Sequence, residues 1–552
     1  MARPQRWDEP FGPDMTDEDV ARLMERPEIA SIEADKFPGH TPLEGILKND
    51  TRIVRVQPGD LVVREGDYGN SAFLVMSGKL RVVLAPGLPG SLLGRQPVHR
   101  KGFFEALSQL WRNRAHAEAR PTNRRGRYDS GLRRGPDAAH THIYLQDTPS
   151  VLDEYRTATL GDGALFGELA ALGRVPRTAT IFAETEAELL EIRRQGLREL
   201  RRYDIGWRRL IDERYRRNAL TVHLTENPLF KGLDEESLQQ VASRTLFETY
   251  GSFDWHVSYK QMRKRGESDI SKEPWIVREG DYPDGLLMIR AGFARVSVKT
   301  GRGHRTLTYL GAGDHFGLPE LYALWKGEET VMRASLTALG YVDVLRVPAP
   351  VLEEHVFPKV QSVEDPIALG VDTTMAEVAL IEWATDERFI NGRQAMLIDL
   401  DRCVRCDDCV RACASTHDGN PRFVRQGKTF DHWMVANACM HCADPVCMIG
   451  CPTGAIHRTP QGGMVVINDV TCIGCATCAN SCPYGNIRMV EIADEKGNLL
   501  LDPDKQMPIL KATKCDLCST QPGGPACARA CPHDALRRVD FQPEDLFEET
   551  LG

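Results

Sequence analysis

Residues 403–413 read CVRCDDCVRAC and residues 472–482 read CIGCATCANSC, two runs that share the spacing C-x2-C-x2-C-x3-C. Working outward from them, all 16 cysteines of the 552-residue chain fall into four groups of four. The first is Cys403, Cys406, Cys409 and Cys413; the second is Cys439, Cys442, Cys447 and Cys451. The third is Cys472, Cys475, Cys478 and Cys482; the fourth is Cys515, Cys518, Cys527 and Cys531. Three closing cysteines precede a proline: Pro452, Pro483 and Pro532. Three thiolates at C-x2-C-x2-C let one tight loop wrap three corners of an iron–sulfur cubane. The fourth, displaced and led away by proline, is turned toward a neighbouring cluster. Four such runs predict four [4Fe–4S] clusters in two pairs, with every cysteine used once.

Other uses of cysteine fit less well. Structural zinc suits isolated C-x2-C pairs and has no need of a C-x3-C-P tail. A disulfide framework requires an oxidising compartment, and no export signal is apparent. Inert buried thiols would be scattered along the chain. The runs CVRCDDCVRAC, CMHCADPVCMIGCPTGAI, CIGCATCANSCPYG and CDLCSTQPGGPACARACP resemble the iron–sulfur electron-transfer subunits of the dimethyl sulfoxide reductase and formate dehydrogenase type, over residues 395–540. Ala414 departs from that pattern, standing where a proline is usual. The resemblance implies a ferredoxin-like α+β domain in which Cys531 completes the cluster of Cys403, Cys406 and Cys409, and Cys413 that of Cys515, Cys518 and Cys527. Likewise it implies that Cys482 joins Cys439, Cys442 and Cys447, and Cys451 joins Cys472, Cys475 and Cys478. Spacing alone does not choose this pairing over a sequential one.

The rest of the chain is of a different kind. Its length predicts about three domains. A net charge of 69 − 78 = −9 argues against a general nucleic-acid-binding protein, and no DNA partner is expected. No apolar run is long enough to span a membrane, so any membrane partner would be reached through another subunit. The start, MARPQRWDEPFGPDM, has neither an apolar signal core nor twin arginines, and the expected location is cytoplasmic.

Residues 1–40 read as an extended lead with a short helix near Asp17–Met24. From Arg52 to Leu84 short alternating strands and turns predict a small barrel or jelly roll, the first domain being 41–226. Residues 85–147 interrupt it with eleven basic against five acidic residues, including Arg124, Arg125 and Arg127, and an apolar run at Phe103, Phe104, Leu107, Leu110 and Trp111. This insertion reads either as a docking surface for an acidic partner or nucleic acid, or as a solvated, partly disordered loop, and the loop is preferred.

The string Phe166-Gly167-Glu168-Leu169, followed by Arg177-Thr178-Ala179, has the parts of a ribose–phosphate clamp. A glycine opening a short helix presents free amides to an anion. An arginine fork pairs with a phosphate, and an ionised glutamate accepts from sugar hydroxyls. FGELAAL…PRTAT resembles the phosphate-binding cassette of cyclic-nucleotide-binding domains. That resemblance implies cyclic AMP or cyclic GMP as a regulatory ligand, with Thr178 a hint toward guanine. The charged stretch 196–226 has helical spacing and corresponds to the helix that moves on ligand binding in that family.

A second copy occupies 227–360. Arg278-Glu279-Gly280-Asp281 repeats Arg64-Glu65-Gly66-Asp67, and Phe316-Gly317 repeats Phe166-Gly167. Its cassette is degenerate: Leu318 takes the glutamate position, and Glu320 and Arg333 are displaced candidates for an altered ligand. Met375, Val378, Ile381 and Trp383 predict a connector helix within 361–394 that docks the halves or runs free, and 541–552 is an acidic tail.

The whole reads as an α+β chain: two cyclic-nucleotide-binding jelly-roll domains, then a four-cluster ferredoxin-type domain. It predicts an electron-transfer subunit, controlled by nucleotide, that serves a catalytic oxidoreductase subunit on another chain. No dinucleotide fingerprint or acid–base constellation is apparent, and no catalytic residue is assigned. The alternative is a redox- or oxygen-sensing signalling protein. A regulator of that kind should carry a helix-turn-helix after its barrel and needs one cluster, not four. Degenerate barrels serving only as scaffold are a third reading.

Overall fold

The structure, a computed structural model, describes residues 5–84, 87–95, 102, 104, 116–119, 130–133, 142–173, 176–216, 220, 224, 227–251, 273–301, 303–360, 375–417, 419–459, 463–502 and 506–540. The chain forms two compact units. One joins Met1–Asp204 with Asn391–Gly552, and the other is Ile205–Ile390. The first nucleotide-type domain and the cysteine-bearing module therefore belong to one unit.

In the first domain, one antiparallel sheet has the order Thr51–Val56, Ala187–Arg193, Ser71–Ser77, Leu165–Phe166. The other runs Leu61–Val63, Ile181–Ala183, Leu80–Val83, Thr157–Leu160. Alternation along these short strands sends Val56, Phe73, Val75 and Leu189 from the first sheet, and Val63, Leu80 and Ile181 from the second, into one core. Strand Ser71–Ser77 is buried on both faces, because helices Glu168–Gly173 and Arg194–Tyr203 cover the side away from that core. The second unit repeats the order strand for strand. Its sheets are Leu246–Tyr250, Val342–Pro348, Gly285–Ala291, His315–Phe316, and Trp275–Val277, Ser335–Ala338, Ala294–Thr300, Gly303–Leu310.

Several expectations are corrected. The lead is not extended. Beside the expected helix Asp17–Met24, closed by a Thr16 capping box, it forms helix Pro27–Ala30, and Trp7, Leu23 and Ile29 are buried. Trp7 Nε1 donates to Asp50 at 3.2 Å, and the fully buried Asp50 carboxylate pairs with Arg193 at 2.6 Å. The stretch 196–226 is not one helix. Asp204 is extended, separating Arg194–Tyr203 from Ile205–Tyr215, and Gly206 in the first turn of the second helix weakens continuity.

Nor is the insertion, where described, a solvated loop. Leu88, Leu93, Ile143 and Leu145 pack with Leu61, Val83 and Phe182 into a second core, and Ser130–Arg133 pairs with His142–Leu145. These apolar residues are few and set among basic ones, so composition hides them. Arg124, Arg125, Arg127, Phe103, Leu107, Leu110 and Trp111 lie outside the described residues, and Phe104 is exposed. Helix Met375–Asp386 packs on strand Gly303–Leu310 of the second unit, and residues 361–374 and the tail 541–552 lie outside the described residues.

The cysteine-bearing module has a four-stranded sheet ordered Val424–Phe430, Trp433–Asn437, Gln394–Asp399, Leu536–Asp540. Pairing of Ala395 with Val539 brings the two ends of the module together. Two hairpins, Ile456–Arg458 with Val465–Ile467 and Arg488–Glu491 with Leu510–Thr513, complete it. This α+β arrangement is the ferredoxin type. Among the described residues no helix is long and apolar enough to cross a membrane.

Candidate functional site

The cysteine loops share a local geometry. Arg405 and Asp407 flank Cys406 with φ of 61° and 63°, and Gly474 and Ala476 flank Cys475 with φ of 72° and 62°. Left-handed residues on either side of the middle cysteine coil the loop into a concavity of amides, the arrangement that suits an anion. Asp407 and Ala476 then stand at the N-cap of helices Asp408–Thr416 and Thr477–Ser481. The third cysteine thus enters the first turn, and the fourth follows four residues on, about 6 Å along the axis. That rise carries the fourth thiol away from the first three.

Which thiols approach one another follows from their mutual charge effects. Those bearing on Cys409 include Cys531 and Cys403, and one cavity of about 340 Å³ is lined by Cys403, Cys406, Cys409 and Cys531. Cys413 and Cys518 bear on Cys527. Cys439, Cys447 and Cys482 bear on Cys442. Cys451, Cys472 and Cys475 bear on Cys478, and a cavity of about 350 Å³ is lined by these four. Cys531, Cys482 and Cys451 thus each lie with three cysteines of another run and Cys413 lies with two, Cys518 and Cys527, an arrangement that a sequential grouping does not give.

The groups also adjoin in series. Cys409 of the first bears on Cys527, Cys439 bears on Cys515, and Cys478 bears on Cys447. One end of the series holds the exposed Cys406 and the other holds Cys451.

Burial pushes the Cys409 thiol up to about 11 and those of Cys478 and Cys527 up to about 12, with neighbouring thiols adding to the effect. Cys442 and Cys447 are raised well above the ordinary thiol value for the same reasons. Cys413 is held lower. Burial raises it, but His417 and the Arg422 amide, 3.1 Å from its Sγ, outweigh that. His417 Nε2 in turn meets Asp516 at 2.9 Å. Further amides aim at sulfur from Ala535 to Cys531 at 3.3 Å and from Ala526 to Cys518 at 3.5 Å.

The buried Lys514 ammonium donates to the Cys515 carbonyl at 3.1 Å, and Cys439, Cys447 and Cys515 raise its pKa against the pull of burial. Four crowded, buried thiolates repel unless cationic metal sits among them. All 16 cysteines are unbridged, so the donor set fits iron–sulfur clusters. Such clusters supply one-electron transfer; the chain supplies thiolates, amide donors and burial.

In the first nucleotide-type domain, Gly167 has φ of 80°, and helix Glu168–Gly173 starts beside it. Glu168 is buried, and Phe166 stacks on Phe73 at 5.2 Å. Arg177 is buried, with Nη1 donating to Gly167 O at 2.6 Å and Nη2 to Ser71 O at 2.7 Å. Burial lowers its pKa to about 10, with Glu191, Asp67 and Glu168 opposing, so it is charged at neutral pH. Thr178 is exposed, and Leu169 and Ala179 are half-buried. The predicted clamp residues are therefore gathered at one place.

Sequence reading missed Gly69 and Ser71. A Cβ on Gly69 would lie 2.1 Å from the Arg177 guanidinium, so only glycine leaves room for it. The following strand was visible, but nothing local marks these two as neighbours of Arg177.

The second domain differs at the same place. In the first, Gly66 N donates to Arg177 O at 2.7 Å and Arg177 N to Asp67 O at 2.8 Å. In the second, Gly280 N donates to Met332 O at 2.8 Å and Met332 N to Asp281 O at 2.9 Å. Met332, not Arg333, occupies the position of Arg177, and its side chain lies in the core. Glu320 and Arg333 are brought together, but against each other, at 2.9 Å.

The fold and these sites define an iron–sulfur protein fused to cyclic nucleotide-binding domains. The cyclic nucleotide-binding domain family matches residues 151–204 and 269–356, and the 4Fe-4S dicluster domain family matches residues 430–541. Electron transport protein HydN of Escherichia coli is 35% identical over 26% of this chain and 87% of its own length. Putative electron transport protein YsaA of the same organism is 32% identical over 27% of this chain and 90% of its own. One subunit of the E. coli anaerobic dimethyl sulfoxide reductase is 32% identical over 28% of this chain and 76% of its own. The chain belongs to this family of iron–sulfur electron transport proteins, through about a quarter of its length. The regulatory domain of Toxoplasma gondii PKA with cAMP aligns at 18% identity, 60% of this chain and 89% of that one, with a TM-score of 0.20. At that score the assignment of the nucleotide-type domains rests on the family match and on strand order.

Proposed function

We propose that the chain relays single electrons between a donor and a catalytic oxidoreductase subunit on another chain, through four [4Fe–4S] clusters, under control of one cyclic nucleotide held by the first domain. The observation that carries this is the gathering of the thiols into adjoining groups, each mixing cysteines of one run with one of another. A single sensing cluster has no use for such a series.

Within the nucleotide site, Arg177 is to exchange two carbonyl partners for the phosphate, Glu168 to accept from the ribose, and the exposed Thr178 to favour guanine over adenine. Arg177 is already charged and seated, so the phosphate replaces neutral acceptors with an anionic one, a stronger bond. The second domain, with Met332 at the fork position, is assigned a structural role. A chain reduced stepwise under anaerobic conditions should take up about four electrons, one per cluster. Calorimetry should find one binding event, tighter for cyclic GMP than for cyclic AMP. Uptake of a single electron would overturn the relay, and absence of nucleotide binding would overturn the control.

A further inference from the structure

The end of the cluster series that holds Cys451 lies against the first nucleotide-type domain. The turn between strands Leu61–Val63 and Ser71–Ser77 reaches it with Arg64 and Tyr68. Arg64 Nη1 and Nη2 approach the carbonyl of Pro452, the residue after Cys451, at 3.4 and 3.3 Å. A Cβ on Gly454 would sit 2.6 Å from Arg64 Nε, so the module keeps a glycine, at φ 60°, where the guanidinium lies. Tyr68 packs into the core that contains Cys447, Cys451, Cys472, Cys478 and Cys482, and the Arg458 guanidinium stands 5.6 Å from its ring centre.

The same turn is tied to the phosphate-fork residue. Gly66 and Asp67 share two backbone hydrogen bonds with Arg177, at 2.7 and 2.8 Å. The Asp67 side chain holds Arg64 at 2.8 Å and Arg95 at 2.6 Å. Asp67 thus shares its one charge between two arginines. Arg64, with only 8% of its side chain exposed, is the member of the trio that touches the cluster loop.

We infer that Arg64 is a positioning residue for electron transfer: it sets the potential of the cluster held by Cys451, Cys472, Cys475 and Cys478, and it passes nucleotide occupancy at Arg177 to that cluster. The inference rests on the function proposed above and names its coupling element. One-electron reduction adds a negative charge to the cluster, taken from the donor and later given to the acceptor. A guanidinium held in a buried, weakly screened place favours the reduced form and so raises the potential. When Arg177 turns from the Gly167 and Ser71 carbonyls to a phosphate, its backbone partners Gly66 and Asp67 shift with it, and Arg64 moves relative to Pro452.

The test is a redox titration of the full-length, cluster-loaded chain followed by electron paramagnetic resonance, for the wild type, Arg64→Gln and Arg64→Lys, each with and without cyclic GMP. In Arg64→Gln one cluster should become harder to reduce, by about tenfold in its reduced-to-oxidised ratio at fixed potential, or about 59 mV for one electron. The other three should keep their values, and Arg64→Lys should recover most of the shift. Saturating nucleotide should displace the same cluster in the wild type and leave it in place in Arg64→Gln. Unchanged potentials in Arg64→Gln, with iron content and calorimetric nucleotide binding both intact, would overturn the inference. So would an equal shift of all clusters. Failure of the wild type to bind nucleotide would instead overturn the nucleotide-control reading and with it the coupling half, while the Arg64→Gln comparison would still decide the potential-setting half.

Discussion

Met332 in the second nucleotide-type domain stands where Arg177 stands in the first, each clamped by the same pair of backbone hydrogen bonds to a Gly-Asp turn. One position is a charged fork and the other a buried thioether, in the segments that lead into matching strands. Binding should therefore be one nucleotide per chain. Arg177→Ala should weaken that event, and Arg333→Ala should leave its stoichiometry and affinity unchanged. Charge-assisted hydrogen bonds are worth roughly 1.5–3 kcal/mol each, so loss of one fork bond weakens binding by about 10- to 100-fold. Calorimetry on the three proteins reads this directly, and two sites per wild-type chain would contradict it.

Affinity for the nucleotide should also depend on pH in one direction. Burial brings the Arg177 pKa down to about 10, and the protonated form is the one that holds a phosphate. The interaction is thus fully present at neutral pH and is lost as pH rises through about 10. Titrations with a fluorescent nucleotide below and above that value should show the dissociation constant rising on the alkaline side. A flat profile would place the phosphate elsewhere.

The first domain is held to the turn Gln5–Asp8 by Asp50. This buried carboxylate receives Trp7 Nε1 and pairs with Arg193, whose side chain is 15% exposed. Removing one partner of a buried ion pair costs about 3–5 kcal/mol, because the other charge is left without compensation. Asp50→Ala should lower the urea midpoint of this unit by a corresponding amount, whereas breaking an exposed pair of the same unit, such as Lys36–Glu33, should barely move it.

Much of this was readable because the decisive signals are local. A C-x2-C-x2-C loop declares itself within a few residues, and so does the Arg-Glu-Gly-Asp turn that betrays the repeat. What escaped was set by contacts between distant segments. No spacing rule joins Cys531 to Cys409, or tells that Met332 and not Arg333 answers to Arg177, since one residue separates a buried side chain from an exposed one there. The insertion misled for a related reason. Its arginines dominate the composition, while Leu88, Ile143 and the buried Glu118, which meets Arg422 at 2.6 Å, decide how its described parts pack. Gly69 and Arg64 matter only through the guanidinium and the carbonyl they meet in space.

A cysteine shared between runs makes the clusters interdependent. Cys478 lies with Cys451, yet one turn later its helix supplies Cys482 to the neighbouring group. Cys475→Ser should therefore damage its own cluster first and, by loosening the loop that leads into helix Thr477–Ser481, broaden the paramagnetic signal of the neighbour. Loss confined to one cluster, with the neighbour's spectrum unaltered, would show the loops to be independent.

The most direct test of the account is the iron and acid-labile sulfide content of anaerobically prepared full-length protein, measured together with zinc. Sixteen cysteines in four groups predict about 16 iron and about 16 sulfide per chain, with no stoichiometric zinc. A content near four iron, or zinc in proportion to the chain, would contradict a four-cluster electron relay.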